Sequence, residues 1–479
     1  MRTIHICPPD RTPHPYIVVI ANTDRSRVIV KHNNDGKLCF PRLECPEIPF
    51  YGQKVCECIS ERFEKVCGTK YELILLYSTI NDHFNDHIRP IFSAFHCLSP
   101  NENETGMPVA PACKQYRWMM TREVDEQLNL VGEENSRWID DTKDFESFFF
   151  MMRDSEYKRQ ENEYGVRPWE VPGWFTSTSN AASSTLAKLG YELQGKFEQF
   201  QVTHGTAAVL RANTNKGRVY LKASNGIEGN VTSLVAGFAP HLARKPIFVS
   251  DENQWMLMND QGEPVDDDTR PEDFGRLLIE VGKLQLQSLH HIEALKDVGL
   301  RVETSESLIR QTKSLLSDKC VLEKLGRLEE FQTHERDGLP DIELHSTALY
   351  ALLQEWYDNG KCPLTLVHGD ITGNVLKAED GSFVLFDWGA ARIDIPLSDT
   401  FCFTGSVTHQ IMEEYLNLWE KYAPASDLRK LLEIVSIQAS LVCMFALFDG
   451  EDWILSDENV RTLASILVDA KTVAEKRNL

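Results

Sequence analysis

Two polar segments set between apolar runs constrain the fold of this 479-residue chain more than any other feature. Residues 367–376 contain Asp370 and Asn374, and Asp387 follows the next apolar run. The Glu-Asp-Gly sequence at 379–381 is typical of a turn, so the pattern predicts a hairpin that returns the second carboxylate to the first segment. A carboxamide and a carboxylate supply the oxygen ligands that Mg²⁺ prefers, while a separate carboxylate orients an attacking hydroxyl. The pattern therefore indicates phosphoryl transfer.

The order of the motifs around these segments resembles the aminoglycoside phosphotransferase family, the small-molecule branch of the kinase fold. The resemblance covers about residues 165–479. The motifs follow one another in the order found in kinases. They are a strand with a lysine (219–223), a strand that leads into a hinge (255–260), the His-Gly-Asp loop (368–374), the Asp-Trp-Gly motif (386–389) and a later buried aspartate (396–399).

The resemblance implies a role for each matching residue. Asp370 would orient the acceptor hydroxyl, while Asn374 and Asp387 would hold Mg²⁺. His368 and Asp399 would be structural. The residues that would surround ATP are Lys222, Glu228, Met258, Asn259, Asp260, His204, Gly205 and Thr206.

The chain departs from the family pattern at three points. Asn374 follows Asp370 by four residues, whereas the family usually has five. The glutamate that pairs with the lysine is either Glu228 or, in another alignment, replaced by Asn230. The segment that would cover the phosphates has one glycine, Gly205. These departures leave a nucleotide-binding pseudokinase, acting as a regulatory module, as an alternative to an active enzyme.

The first part of the chain, residues 1–150, resembles a Nudix domain in its arrangement of strands around one helix. Nudix hydrolases gather Mg²⁺ with helix carboxylates, but Lys65 and Val66 stand at two of those positions. A lysine repels a divalent cation and valine cannot bind one. We therefore expect a Nudix-like domain without hydrolase activity. The spacing of Val55, Ile59, Phe63 and Val66 predicts that they line the buried face of the helix.

The predicted fold class is α+β, with a bilobal kinase-like domain of the aminoglycoside phosphotransferase type behind the Nudix-like domain. Residues 151–190 are predicted to form a linker with a short helix. Proline and glycine residues and a Ser/Thr/Asn cluster interrupt any regular spacing of apolar residues there. Residues 191–264 form the predicted N-lobe, and residues 265–479 form the predicted helical C-lobe with the catalytic loop.

The formal net charge of −22 argues against nucleic-acid partners and against docking on anionic membranes. It is compatible with an amine-bearing substrate. No apolar stretch is long enough to span a bilayer, and the start of the chain has no apolar segment typical of a secretory signal. The twelve cysteines include no Cys-x-x-Cys pair, which favours a reducing compartment. We expect a cytoplasmic protein, and the oligomeric state stays open.

The expected function is transfer of the γ-phosphoryl group of ATP, with Mg²⁺, to a hydroxyl of a small polar molecule. The pseudokinase is the first alternative. The second is a Nudix-type pyrophosphohydrolase with an appended kinase fold.

Overall fold

The computed structural model divides the chain into two compact units. The sheet unit contains Arg2–Asn225 and Ile247–Asp260, and the helical unit contains Gly226–Pro246 and Gln261–Leu479. Within them the structure describes residues 14–21, 27–32, 38–39, 42–45, 53–71, 73–80, 91–97, 110–120, 123, 168–170, 174–203, 207–224, 226–265, 271–328, 331, 342–358, 362–446 and 457–477.

The sheet unit begins with a seven-stranded mixed sheet and one helix. Its strands are β1 His14–Ala21, β2 Arg27–His32, β3 Leu38–Cys39, β4 Arg42–Cys45, β5 Leu73–Ile80, β6 Ile91–Cys97 and β7 Tyr116–Met120, with helix α1 Gln53–Cys67. The strand order is β3-β2-β1-β6-β5, with β4 beside β1 and β7 beside β2. Strands β1 and β6 are parallel, and the other pairs are antiparallel. Several strands and one helix agree with the predicted arrangement, while the assignment to the Nudix-like class stays a prediction.

Helix α1 buries a different set of residues from the one predicted. Ile59 and Phe63 are fully buried as expected, but Val66 is 42% exposed. Cys67 is buried in its place, and Cys56 lies on the same face three residues before Ile59. The prediction for Val66 was wrong because Val66 and Cys67 are neighbours on one turn of the helix, and only one of the two side chains faces the core. The smaller thiol of Cys67 takes the core position.

The second sheet of this unit is antiparallel and has a helix on one face. Its strands are β8 Glu198–Thr203, β9 Ala207–Thr214, β10 Gly217–Ser224, β11 Phe248–Ser250 and β12 Trp255–Asn259, in the order β11-β12-β10-β9-β8. Helix α2, Trp174–Lys188, lies within the segment predicted as linker and short helix. Its Ala182 and Leu186 share a buried apolar cluster with Leu210 and Leu221 of the sheet. Alternation along β9 and β10 leaves the opposite face for polar and larger side chains.

The two sheets of this unit meet where α1 and β5 contact the edge strand β8. The thiol of Cys56 donates a hydrogen bond to Gln199 Oε1 at 3.4 Å. Gln199 lies beside a β-bulge, because the pairing of β8 with β9 shifts between Gln199 and Gln201. Such bulges commonly redirect side chains at sheet edges. The first sheet therefore covers an edge that would otherwise expose unpaired backbone groups.

Among the described residues, the helical unit contains the remaining helices and five short strands. Its helices are α3 Glu228–Phe238, α4 Pro271–Ser288, α5 Ile292–Asp297, α6 Ser305–Leu315, α7 Lys319–Leu325, α8 Ile342–Asp358, α9 His409–Asn417, α10 Ala425–Leu432, α11 Val435–Ala446 and α12 Asp457–Arg477. The other elements are β13 Glu263–Pro264, β14 Thr365–Val367, β15 Val375–Lys377, β16 Phe383–Leu385, β17 Arg392–Asp394 and the 3₁₀ helices Trp388–Ala390 and Pro396–Phe403. A further 3₁₀ turn, Pro168–Glu170, belongs to the sheet unit.

One continuous apolar core fills the helical unit. Its largest fully buried side chains include Trp356, Trp388, Trp419, Tyr415 and Phe403. Trp388 belongs to the Asp-Trp-Gly motif, so this core reaches the motif directly. In the part of the chain that the structure describes, no helix is long and apolar enough to cross a membrane.

Two strand pairs hold the polar segments of the sequence. Strands β15 and β16 form the predicted hairpin, with Val375 opposite Leu385 and Lys377 opposite Phe383. Strand β14, which precedes the loop, pairs antiparallel with β17. The hairpin prediction is confirmed, and the two pairs fix both ends of the loop between them.

The contrast between Phe63 and Val66 gives a test of the α1 face. We expect Phe63→Ala to destabilise the first sheet by about 3–5 kcal/mol, because it removes a fully buried ring. Val66→Ala on the same helix is the control and should change stability by less than about 0.5 kcal/mol. Urea unfolding of the full chain, followed by circular dichroism, measures both. Equal losses for the two variants would mean that the face is assigned wrongly.

Candidate active site

The loop between β14 and β15 is held at its start by one buried carboxylate. Asp399, on the 3₁₀ helix Pro396–Phe403, is 1% exposed. Its two oxygens accept the backbone N–H groups of His368 at 3.1 Å and Gly369 at 2.9 Å. Gln285 Nε2 donates a further bond to it at 2.9 Å. Burial raises the pKa of the Asp399 carboxyl, and the N–H groups of Gly369 and His368 oppose that shift.

The imidazole of His368 ties the loop to the hairpin. Its Nε2 lies 2.9 Å from the carbonyl oxygen of Phe386, and its Nδ1 accepts the backbone N–H of Asp370 at 3.3 Å. An accepting Nδ1 assigns the proton to Nε2, which then donates to Phe386. The ring also packs against Trp388, with centroids 4.5 Å apart. These bonds give His368 a structural role beside Asp370.

The loop brings Asn374 next to the segment that leads from the end of β16 to Asp387, although the loop is one residue shorter than the family pattern. Asn374 Nδ2 donates to the carbonyl oxygen of Asp370 at 2.7 Å. The carbonyl oxygen of Asn374 accepts the N–H of Phe386 at 3.1 Å, one residue before Asp387. Because Nδ2 donates the hydrogen bond to the loop backbone, the side-chain oxygen of Asn374 takes no part in that bond. That oxygen is the atom a metal ion would bind.

Asp387 adopts a left-handed backbone conformation, with φ of 59°. A residue other than glycine is rarely found there, and such strain is often kept at functional sites. A Cβ built on Gly389 would lie 3.3 Å from Asp387 Oδ1 and 3.9 Å from Glu228 Oε2. Glu228 is only 1% exposed. The carboxylates of Asp387 and of the first residue of α3 therefore face the same short turn.

The oxygen donors at this turn fit Mg²⁺. Asp387 offers a carboxylate and Asn374 a carboxamide oxygen, both hard ligands. Among the described residues, no group of three or more His, Cys, Asp or Glu side chains could hold a metal ion. A magnesium ion that keeps several waters and binds phosphate oxygens needs only one or two protein ligands.

A buried ion pair lies behind the loop and was missed by the sequence analysis. Arg392 Nε donates to Asp394 Oδ2 at 3.0 Å, and both side chains are almost fully buried. Asp394 also accepts bonds from Tyr357, Ser398 and Gln438. The alternation Arg-Ile-Asp in β17 places both charges on one side of a short strand. This alternation is the sequence feature from which the ion pair could have been predicted.

The predicted lysine lies in the sheet unit. Lys222 is buried in β10 and stands opposite Met256 of β12. Tyr220, two residues earlier, stands opposite Met258. Because side chains alternate along a strand, Lys222 and Met258 share one face of the sheet.

Asn259 belongs to the opposite face, where its Oδ1 accepts the hydroxyl of Tyr191 at 3.3 Å. The N–H of Asp260 donates to the carbonyl oxygen of Arg218 at 3.0 Å. The predicted phosphate-covering residues 204–206 lie outside the described residues.

Of the predicted site residues, the helical unit brings together Asp370, Asn374, Asp387 and Glu228.

No protein-family model matches the sequence, and no curated protein is significantly similar to it. Wild-type aminoglycoside 2'-phosphotransferase-IIIa, solved in a GDP complex, is 13% identical over 61% of this chain and 98% of that chain, with a TM-score of 0.42. Choline kinase LicA from Streptococcus pneumoniae is 13% identical over 60% of this chain and 99% of its own, with a TM-score of 0.38.

A macrolide 2'-phosphotransferase type I is 16% identical over 60% of this chain and 97% of that chain, with a TM-score of 0.37. These structural neighbours are small-molecule phosphotransferases.

Two glycines of the loop provide a matched pair. Gly369 and Gly373 have almost the same φ, 81° and 82°. A Cβ on Gly369 would collide with Arg392 Nη1 and lie 2.7 Å from the carbonyl oxygen of Ala390, whereas a Cβ on Gly373 meets nothing within 4 Å. We expect Gly373→Ala to cost only the left-handed backbone penalty of about 1–2 kcal/mol.

Gly369→Ala should cost clearly more than Gly373→Ala, because steric overlap adds to the same backbone penalty. Thermal unfolding of both full-length variants compares the two costs. A similar loss of stability in both would show that Arg392 does not pack against the loop.

Proposed function

We propose that this protein is a Mg²⁺-dependent phosphotransferase that moves the γ-phosphoryl group of ATP to a hydroxyl of a small polar molecule, including amine-bearing ones. The observation that supports it most is the loop and hairpin pairing in the helical unit. Asn374 is bonded to the backbone of Asp370 and also to the residue before Asp387. A single local structure thereby carries a base and two metal-binding oxygens.

Asp370 accepts the proton of the acceptor hydroxyl, or orients that hydroxyl, as phosphoryl transfer proceeds. Its backbone is fixed through His368 on one side and through Asn374 on the other. Such fixation holds the backbone from which the carboxylate projects, and positioning is the main contribution a protein makes when little covalent chemistry is needed.

Asp387 and Asn374 would hold the magnesium ion. When bound, Mg²⁺ would supply positive charge beside the phosphate oxygens. The backbone strain at Asp387 supports this role, because the conformation is kept despite its cost. Lys222 provides a cation for the nucleotide phosphates, and backbone groups of residues 258–260 accept the adenine.

The domain within residues 1–150 is proposed to be Nudix-like and without hydrolase activity. On α1, Lys65 and Val66 are both exposed rather than buried in the core. A cation and an apolar side chain therefore occupy the surface where a hydrolase would gather carboxylates. The packing of α1 on β8 supports a role as a partner of the second sheet.

We also propose that the protein works in the cytoplasm. Eight cysteines whose side chains the structure describes form no disulfide: Cys56, Cys58, Cys67, Cys113, Cys320, Cys362, Cys402 and Cys443. Reduced thiols are usual where the compartment is reducing.

The first test concerns Asp370. Because an unknown acceptor can be replaced by water, the assay measures phosphate release from ATP with Mg²⁺ by the full chain, alone and with a panel of small alcohols and amino alcohols. We expect Asp370→Asn to lower kcat at least about 10²-fold, while the Kd of ATP changes little.

Near-normal turnover by Asp370→Asn would contradict the assignment. ATP binding by the wild-type chain without turnover on any acceptor would instead favour the pseudokinase. Release of nucleoside monophosphate that survives Asp370→Asn would favour a Nudix-type activity.

The second test concerns the metal ligands. Asp387→Asn keeps the shape and tolerance for left-handed backbone but removes the charge, so Mg²⁺-dependent nucleotide binding should fall steeply. Asn374→Ala removes a neutral ligand and should weaken Mg²⁺-dependent nucleotide binding less than Asp387→Asn does. Titration of a fluorescent ATP analogue, with Mg²⁺ and with EDTA, measures the metal-dependent part of Kd. An equal response of Asp387→Asn and wild type to Mg²⁺ would refute this assignment.

A further inference from the structure

Helix α4 reaches the carboxylate that holds the loop between β14 and β15 through one fully buried amide. Gln285 Nε2 donates to Asp399 Oδ2 at 2.9 Å and to the carbonyl oxygen of Pro396 at 3.0 Å. Its Oε1 accepts the hydroxyl of Tyr415 at 2.8 Å. A primary amide has two N–H donors, so both donors and the oxygen of Gln285 are engaged.

These partners allow the amide one orientation. Asp399 and Pro396 present oxygen acceptors to its NH₂ group, while Tyr415 presents a hydroxyl donor to its oxygen. A rotation by half a turn would place Oε1 against two other oxygens in a buried site and leave polar atoms without partners. The hydrogen-bond network therefore assigns the nitrogen of Gln285 to the side of Asp399.

The amide and the loop share one oxygen of the Asp399 carboxylate. Oδ2 accepts Gln285 Nε2 and also the N–H of His368, while Oδ1 accepts the N–H of Gly369. The carboxylate torsion of an aspartate is broad and roughly two-fold, so the backbone of Asp399 does not select one rotation of the group. The bond from Gln285 favours the rotation in which both oxygens meet the loop.

The same turn of α4 is bonded to the strand that precedes the loop. Ser288 Oγ accepts the N–H of Leu366 in β14 at 2.9 Å and donates to the carbonyl oxygen of Gln285 at 2.7 Å. Residues three apart on a helix are neighbours on its surface, so Gln285 and Ser288 lie on one side of α4. The position of the amide relative to the loop is thereby fixed.

We propose that Gln285 is a positioning residue, whose amide sets the rotation of the Asp399 carboxylate and, through the N–H groups of residues 368 and 369, the placement of Asp370. This proposal rests on the proposed function of Asp370. The role is indirect, because Gln285 acts through Asp399 and the loop backbone.

A neutral amide suits a site that already holds a buried anion. The charged or titratable groups near Asp399 are His368 of the loop, Arg392 of β17, Tyr415 of α9 and Cys402 of the same 3₁₀ helix. A second carboxyl in place of the amide would stand beside the first, and two carboxyls at hydrogen-bond distance do not readily ionise together.

The experiment compares the full-length wild type with Gln285→Met, Gln285→Glu and Gln287→Met. Methionine keeps the length of glutamine and removes its two donors. Gln287 is exposed on the same helix, so the identical substitution there is the matched control. Hydrogen–deuterium exchange of peptides that cover 367–374 reports the loop directly and needs no activity.

We expect loop exchange to rise about tenfold in Gln285→Met, because the carboxylate that holds two loop donors loses the bond that orients it. In Gln287→Met the exchange should match that of the wild type. Equal loop exchange in the two methionine variants would overturn the proposal.

The kinetic arm uses phosphate release from ATP with Mg²⁺, normalised to ATP-binding sites. We expect Gln285→Met to lower kcat about tenfold with the KM of ATP unchanged. A merely structural glutamine would reduce the number of binding sites and leave kcat per site intact, which would overturn the positioning role.

Gln285→Glu gives a readout that depends on one proton. The protonated carboxyl donates to Asp399 as the amide does, whereas the ionised carboxyl repels it. Burial and the charge of Asp399 both raise the pKa of the introduced carboxyl above its ordinary value of about 4.3, so the donating form is present at the acidic end of the range.

We expect kcat of Gln285→Glu, divided by that of the wild type, to lie within about threefold of unity near pH 6 and to fall at least about tenfold by about pH 9. The division removes the titration of groups that both proteins share. A ratio that stays constant over this range would overturn the positioning role.

The exchange and kinetic measurements separate this proposal from the proposed function. A wild-type chain that releases no phosphate, with loop exchange still raised in Gln285→Met, would remove the catalytic role of Asp370 and support the hold of Gln285 on the loop. Unchanged loop exchange in a chain that does release phosphate would overturn the role of Gln285 alone.

Discussion

The hydrogen bonds of the Asp399 carboxylate are the interaction on which the rest of the site depends. A buried carboxylate is costly unless hydrogen bonds replace its water. Here they come from the backbone of the loop between β14 and β15 and from Gln285 of α4, and the Tyr415 hydroxyl of α9 in turn donates to Gln285 Oε1 at 2.8 Å. Three elements of the helical core thereby position the loop. The stability of the unit and the geometry of the site follow from the same bonds.

The polar network around Asp394 extends this arrangement behind the loop. Its partners Tyr357 and Gln438 come from α8 and α11, and Arg392 fills the space beside Gly369. Removing one member would leave buried polar groups without partners, which costs more than the net gain of any single bond. The network therefore ties the shape of the loop to the packing of distant helices.

Local features of this structure could be predicted from the sequence, and features that depend on distant partners could not. The hairpin of β15 and β16 follows from a turn between two apolar runs, which are neighbours in the chain. The burial of Cys67 rather than Val66 depends on which side of α1 meets the sheet. The pairing of Asp394 with Gln438 joins residues 44 positions apart, and no local pattern encodes it. The left-handed backbone of Asp387 was equally invisible, because aspartate adopts that conformation only when its surroundings impose it.

The left-handed backbone at Asp387 limits which amino acids can occupy that position. Left-handed φ values are tolerated by glycine and, less well, by asparagine and aspartate. Glycine would relax the backbone but bring no oxygen ligand, and asparagine would bring an oxygen without its charge. Aspartate alone meets both demands. A laboratory selection for heat resistance alone would therefore tend to discard the residue that the proposed chemistry needs most.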